Sequence, residues 1–208
     1  APQVGVANSL AVYGPNLGAL LELEVVAHRV GGRQGRVTGT GMIDEEEFGG
    51  MGRPLKRRKS MARASVENVL TALRRYLDLD PNDYDIHVNF PGGIPVDGPS
   101  AGVALAVAIY SALTGRPVDN TVAMTGEVSA RGVVKAVGGI IAKIEGALQA
   151  GARTVIIPRE NDQELFRQYR NIQIVCVDEV GQALAAAVLP TDVGKPRLAV
   201  PLTPSLAP

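Results

Sequence analysis

One serine and a handful of lysines carry the nucleophilic chemistry this chain could perform. Ser100 lies in Pro91-Gly-Gly-Ile-Pro-Val-Asp-Gly-Pro-Ser-Ala-Gly102, a Gly- and Pro-rich loop between two apolar runs. Upstream, Asp85-Ile-His-Val-Asn-Phe90 alternates with the two-residue period of a half-buried strand. Downstream, residues 101–113 (AGVALAVAIYSAL) are almost all apolar and rich in alanine, which predicts a buried helix. Ser100 therefore falls where a loop opens a helix, and unpaired N–H groups and the helix dipole favour negative charge there. A serine so placed reads either as a helix cap or as a nucleophile whose developing oxyanion those N–H groups hold.

The choice of base narrows the second reading. Gly98-Pro-Ser-Ala-Gly102 matches G-x-S-x-G, but the hydrolase order Ser, Asp or Glu, His needs a histidine after the serine. The two histidines, His28 and His87, both precede it. A His87, Asp97, Ser100 order stays formally open, although His87 sits mid-strand, where a packed core residue is the commoner reading. A serine lacking a histidine can use a lysine. At pH 7.5 only about 0.1% of an ordinary lysine is neutral, so its pKa must fall by roughly three, which apolar burial can achieve. Of the five lysines, Lys56 and Lys59 belong to a basic run and Lys195 to a proline-rich end. Lys143 lies in the predicted helix 140–150 (IIAKIEGALQA), on the face of Ile140 and Ala147. A lysine stem along an apolar face with its head in water is the plain alternative. Lys135, in a strand-like segment, is the second candidate base.

These residues stand within a set of motifs that resembles the proteolytic domain of Lon proteases, over about Gly5 to Pro190. The matching stretches are Leu10-Ala-Val-Tyr-Gly-Pro-Asn16, Tyr84-Asp-Ile-His87, Asp97-Gly-Pro-Ser-Ala-Gly102 and Ala123-Met-Thr-Gly-Glu127. Arg131-Gly132, Val137-Gly-Gly139, the helix holding Lys143 and Val155-Ile-Ile-Pro158 follow in order. The resemblance implies a Ser–Lys dyad at Ser100 and Lys143, with Thr125 orienting the lysine and Asp97, Gly98 and Pro99 shaping the loop beside the serine. It implies degradation of unfolded or damaged proteins in the cytoplasm by ring assemblies, commonly hexamers. It implies no cofactor in this chain, ATP serving only an ATPase module if one exists elsewhere. The Tyr-Gly-Pro-Asn segment and the 42–60 insert look more like the LonB and LonC branches, and the serine box points to a bacterial source.

The elements that must position the dyad are also legible. The 208 residues are 46% hydrophobic, enough for a core. The 21 basic and 21 acidic residues balance, which argues against nucleic acid as a bulk electrostatic partner. No apolar run of 18 or more predicts a membrane span, and no secretory leader is recognisable. The single cysteine, Cys176, reads as a buried strand residue and makes no intrachain disulfide, as suits a reducing compartment. The histidines lack metal-ligand spacing.

Along the chain, residues 4–13, 17–27 and 35–40 read as strands. Residues 42–60 run from Asp44-Glu-Glu-Glu47 to Lys56-Arg-Arg-Lys59 and read as a solvated loop, or as a flap or intersubunit contact. Residues 60–77 predict an amphipathic helix capped by Ser60, with Val66, Val69, Leu70, Leu73 and Leu77 as its stripe. Residues 121–125 and 133–137 read as paired strands. A β-α-β-α succession follows at 154–158, 161–170, 172–177 and 180–189. The expected whole is one α+β domain over 1–190, a mixed sheet with helices packed on it, and a disordered proline-rich tail over 191–208. The rival to a peptidase is a non-catalytic module using the glycine-rich loop as an anion or nucleotide site, although the Gly194-Lys195 pair forms no P-loop.

Overall fold

The computed structural model describes residues 1–14, 16–41, 61–90 and 98–190, together with the backbone of 45–48 and 56–59. Three sequence readings fall outside these residues: Asp97 with its loop 91–97, the Ser60 cap, and the tail from 191 onward.

In chain order the elements are β1 (Val6–Tyr13), β2 (Leu17–Arg29), β3 (Val37–Thr40), β4 (Glu45–Phe48), β5 (Lys56–Lys59), α1 (Met61–Leu73), β6 (Tyr84–Asn89) and α2 (Gly102–Thr114). Then come β7 (Val122–Met124), β8 (Glu127–Val128), β9 (Val134–Lys135), α3 (Ile140–Gln149), β10 (Thr154–Pro158), β11 (Gln173–Val177) and α4 (Val180–Ala187). Seven strands form one sheet in the order β11-β10-β7-β1-β2-β6-β3. The β1–β2 and β2–β6 pairs are antiparallel, and the β3–β6, β1–β7, β7–β10 and β10–β11 pairs are parallel. The architecture is α+β with a mixed sheet, as the sequence predicts.

Strand alternation sorts the core onto two faces. Leu23 and Val25 of β2 and Ile86 and Val88 of β6 meet Val66, Val69 and Leu73 of α1, much of α2, and Val180 and Leu184 of α4. On the opposite face Leu10, Val155 and Ile157 meet Ile140, Ile144 and Ala147 of α3, with Phe166 and Ile172. The helix α2 is buried almost all round, from Gly102 to Ile109. Its one polar intrusion, Ser111, is satisfied: Oγ accepts from Gly5 N at 2.8 Å and donates to the Arg116 carbonyl.

The seating of α3 depends on two glycines that meet across the interface. A Cβ on Gly18 of β2 would lie 1.7 Å from the Ala142 carbonyl oxygen, and one on Gly146 would lie 2.5 Å from the Gly18 carbonyl carbon. Helix and strand thus touch backbone to backbone, which fixes the height and rotation of α3 on the sheet.

Several local expectations give way to tertiary structure. The 42–60 segment contains a two-stranded hairpin whose register sets Glu45 opposite Lys59, Glu46 opposite Arg58 and Glu47 opposite Arg57. Acidic and basic sequence positions therefore stand opposite each other in the backbone register. Residues 121–125 and 133–137 do not pair with each other: β7 lies inside the main sheet, and β9 pairs with β8 instead. Val122, Ala123 and Met124 are all buried, so β7 is an interior strand and its alternation is uninformative.

Residues 161–170 form no α-helix but two 3-10 turns, Arg159–Asn161 and Glu164–Gln168. Phe166 is the one buried side chain of the second turn, and Leu165 stays 44% exposed, so no apolar stripe exists to hold a helix. Asn161 instead clamps Val137, accepting from its N–H at 2.8 Å and donating to its carbonyl at 3.0 Å. The α1 helix stops at Leu73, and Asp80 caps a separate 3-10 turn, Pro81–Asp83. Cys176 is half-buried rather than buried.

Candidate functional site

Ser100 sits in a 3-10 turn, Pro99–Ala101, which leads straight into α2. The residue at the head of α2 is Ala101, and no side chain caps that helix. The helix-cap reading of Ser100 therefore has no hydrogen bond behind it. What holds the serine is its backbone: its carbonyl oxygen accepts from Gly126 N at 2.9 Å and from Thr125 Oγ1 at 3.2 Å. Val103 N returns a bond to the Gly126 carbonyl at 3.1 Å. The turn after β7 is thus laced to the start of α2.

Gly126 makes this lacing sterically feasible. Its φ is +153°, and a Cβ there would lie 2.7 Å from Val103 Cγ2 and 2.9 Å from Val134 Cγ1. Sequence reading placed Gly126 inside a motif and gave it no role. A Thr-Gly pair closing an apolar strand is the signal for a close backbone approach.

Lys143 projects from the buried face of α3 and is 3% exposed. Its Nζ donates to Thr125 Oγ1 at 3.0 Å, and that bond is itself buried. Burial pushes the ammonium pKa down from 10.5 to about 8. Thr125, fully buried, is the hub: Oγ1 accepts from the lysine and donates to the Ser100 carbonyl. No direct hydrogen bond joins Lys143 Nζ to Ser100 Oγ among the described residues, so Thr125 is what connects them. Thr125 directly follows β7, Ser100 lies in the turn before α2 and Lys143 on α3, so three separate elements converge on the Thr125 hydroxyl.

The second candidate base is placed elsewhere. Lys135 is half-exposed, and its ammonium sits 3.7 Å from a Glu160 carboxylate oxygen. Its partner is a surface carboxylate rather than Thr125 or the serine turn. The histidine alternative fares no better. His87 is half-buried on the sheet, its Nδ1 2.7 Å from Thr38 Oγ1 and its Nε2 3.3 Å from Thr40 Oγ1. It is neither a core residue nor a partner of Ser100. Gly98, with φ +128°, immediately precedes the serine turn, and Pro99 begins it.

Residues 1–190 match the family model of the Lon protease (S16) C-terminal proteolytic domain. The chain belongs to the Lon protease family. It is 54% identical over 183 residues to Lon protease 2 of Bacillus subtilis (strain 168), covering 88% of this chain and 33% of that protein. It is 40% identical over 194 residues to Lon protease 1 of Thermus thermophilus, covering 88% of this chain and 22% of that protein. The archaeal Lon protease of Archaeoglobus fulgidus is 35% identical over 187 residues, 28% of its own length. The chain therefore spans between about a fifth and a third of these Lon proteases, in their proteolytic portion. No helix among the described residues is long and apolar enough to cross a membrane.

Proposed function

We propose that this chain is a Ser–Lys endopeptidase domain of Lon type, with Ser100 as nucleophile and Lys143 as general base. The observation that carries the reading is a buried lysine held by a hydroxyl that also grips the serine's own carbonyl. With a pKa of about 8, about a quarter of Lys143 is neutral at pH 7.5, against about 0.1% for an ordinary lysine. The N–H given to Thr125 Oγ1 turns the amine so that its lone pair is free for another partner. Ser100 Oγ gives its proton to that lone pair and attacks the peptide carbonyl. The oxyanion forms beside the backbone N–H groups where the serine turn enters α2. The Lys143 ammonium then protonates the leaving amine, and water hydrolyses the acyl-enzyme with the lysine again as base. Asp97, Gly98 and Pro99 shape the loop that presents the serine.

The chemistry calls for no cofactor in this chain, and ATP would serve only an ATPase module elsewhere. The substrates are unfolded or damaged polypeptides and peptides, handled in the cytoplasm by a homohexameric ring. A site built to hold an anion would favour a charged lysine beside it, whereas burial here disfavours the ammonium. That contrast argues for the peptidase over the anion-binding module.

The test is turnover of an unfolded polypeptide by the chain and by Ser100→Ala, Lys143→Ala and the double variant. Each single change removes cleavage, and the double is no worse than either, because a dyad acts as a unit. A boronate probe adds to Ser100 in the parent and not in Ser100→Ala. Full cleavage by folded Lys143→Ala overturns the assignment of the base, and full cleavage by Ser100→Ala overturns the nucleophile.

A further inference from the structure

A cavity of about 210 Å³ opens beside the serine turn, lined by Met61, Ala64, Ser65 and Asn68 of α1, Pro99, and Glu127 and Val128 of β8. Pro99 is the residue before Ser100, so the cavity borders the place where a scissile bond must lie. Its volume is below the roughly 300 Å³ at which ligand pockets begin, and suits one side chain.

Its chemistry is uneven. Met61, Ala64, Pro99 and Val128 supply apolar walls, and three polar groups are left with capacity to accept hydrogen bonds. Ser65 is 2% exposed, and its Oγ has no hydrogen-bond partner, the one such buried side-chain atom among the described residues. A buried hydroxyl without a partner is costly in a folded protein and points to an absent one. Glu127 is half-buried and has no ion pair among the described residues. Lys135 stands directly opposite it in the β8–β9 register, yet its ammonium goes to Glu160. Asn68, half-buried on the same wall, makes no side-chain hydrogen bond among the described residues. Arg63, on the same helix, donates to the Val37 carbonyl and pairs with Glu67. The first turn of α1 adds a partial positive charge, which a full carboxylate outweighs.

We infer that this cavity is a specificity subsite for a cationic side chain, lysine or arginine, on a residue flanking the scissile bond. The aliphatic stem lies along Met61, Ala64 and Val128. The charged end meets the Glu127 carboxylate and donates to Ser65 Oγ or Asn68. The inference rests on the peptidase reading above, and the experiment separates the two.

A reduced, unfolded protein is digested with the chain, with Glu127→Gln and with Ser65→Ala, and every cleavage site is mapped by mass spectrometry. The parent cuts beside Lys and Arg at least about fivefold more often than their abundance predicts, on one side of the bond. Glu127→Gln, nearly isosteric, lowers cleavage beside Lys and Arg at least about fivefold relative to the other sites, so the enrichment falls to background. Ser65→Ala lowers it about two- to threefold. Aliphatic enrichment in the parent, or cationic enrichment that survives Glu127→Gln, overturns the subsite while leaving the dyad standing. Absence of any cleavage by the parent overturns the peptidase reading and the subsite with it.

Discussion

Replacing Lys143 with methionine should stabilise the fold at neutral pH while abolishing cleavage. The folded lysine loses its proton near pH 8 and the unfolded one near 10.5. Below pH 8 both states hold the proton, and the folded state carries the full cost of a buried ammonium. That cost is about 3 kcal/mol, at 1.36 kcal/mol for each pH unit separating the two pKa values. Methionine keeps the stem's contacts with the apolar face and forfeits the bond to Thr125 Oγ1, a loss of about 1 kcal/mol. The variant is therefore about 2 kcal/mol more stable at pH 7. Between pH 8 and 10.5 the unfolded state binds more protons, so the parent gains stability as pH rises, at about 1.4 kcal/mol per unit. The variant's advantage shrinks through that window and reverses by its upper end. Urea unfolding of both proteins at pH 7, 8.5 and 10 reads the difference directly and cancels groups common to both. A difference independent of pH, or a variant less stable at pH 7, would refute the claim that Lys143 is a desolvated ammonium.

The initial rate of peptide cleavage should rise with pH to an apparent pKa near 8, because the neutral amine is the active form; a stopped assay across pH 6 to 9.5 checks it, and a flat profile speaks against a lysine base. Thr125→Val should cut turnover at least about tenfold and lower the apparent pKa, since the ammonium loses an acceptor, while Thr125→Ser restores both. Gly18→Ala and Gly146→Ala should each cost about 3 kcal/mol or more, because the added methyl meets backbone rather than a movable side chain; a fall in thermal midpoint below 5 °C for both would show that α3 is less tightly seated.

The local patterns of this sequence were enough to nominate the groups that could react. Ser100 in a glycine- and proline-rich loop before an alanine-rich helix, and Lys143 on an apolar helical face, are both signals carried within a dozen residues. Helix α2, helix α3 and strands β1, β2 and β6 were legible for the same reason: hydrophobic periodicity records which face an element will bury. Failures came where that periodicity is silent. The predicted helix at 161–170 yielded to turns because one phenylalanine anchors it and Asn161 is drawn to a backbone 24 residues away. Strand β7 gave no alternation because both its faces are covered, so its neighbours β1 and β10 could not be read from it.

The choice between Lys143 and Lys135 was likewise tertiary at root. Each lies in an apolar stretch, but only packing decides that one ammonium meets Thr125 in the interior and the other meets Glu160 in water. Thr125 as a hub, the Gly126 approach, the Gly18–Gly146 contact and the unpartnered Ser65 hydroxyl are relations between residues far apart in sequence. Residue types and spacing determined which groups could react. The close contact of three elements on one sheet decided which of them lost water and gained a partner, and desolvation of that kind exists only once the chain is packed.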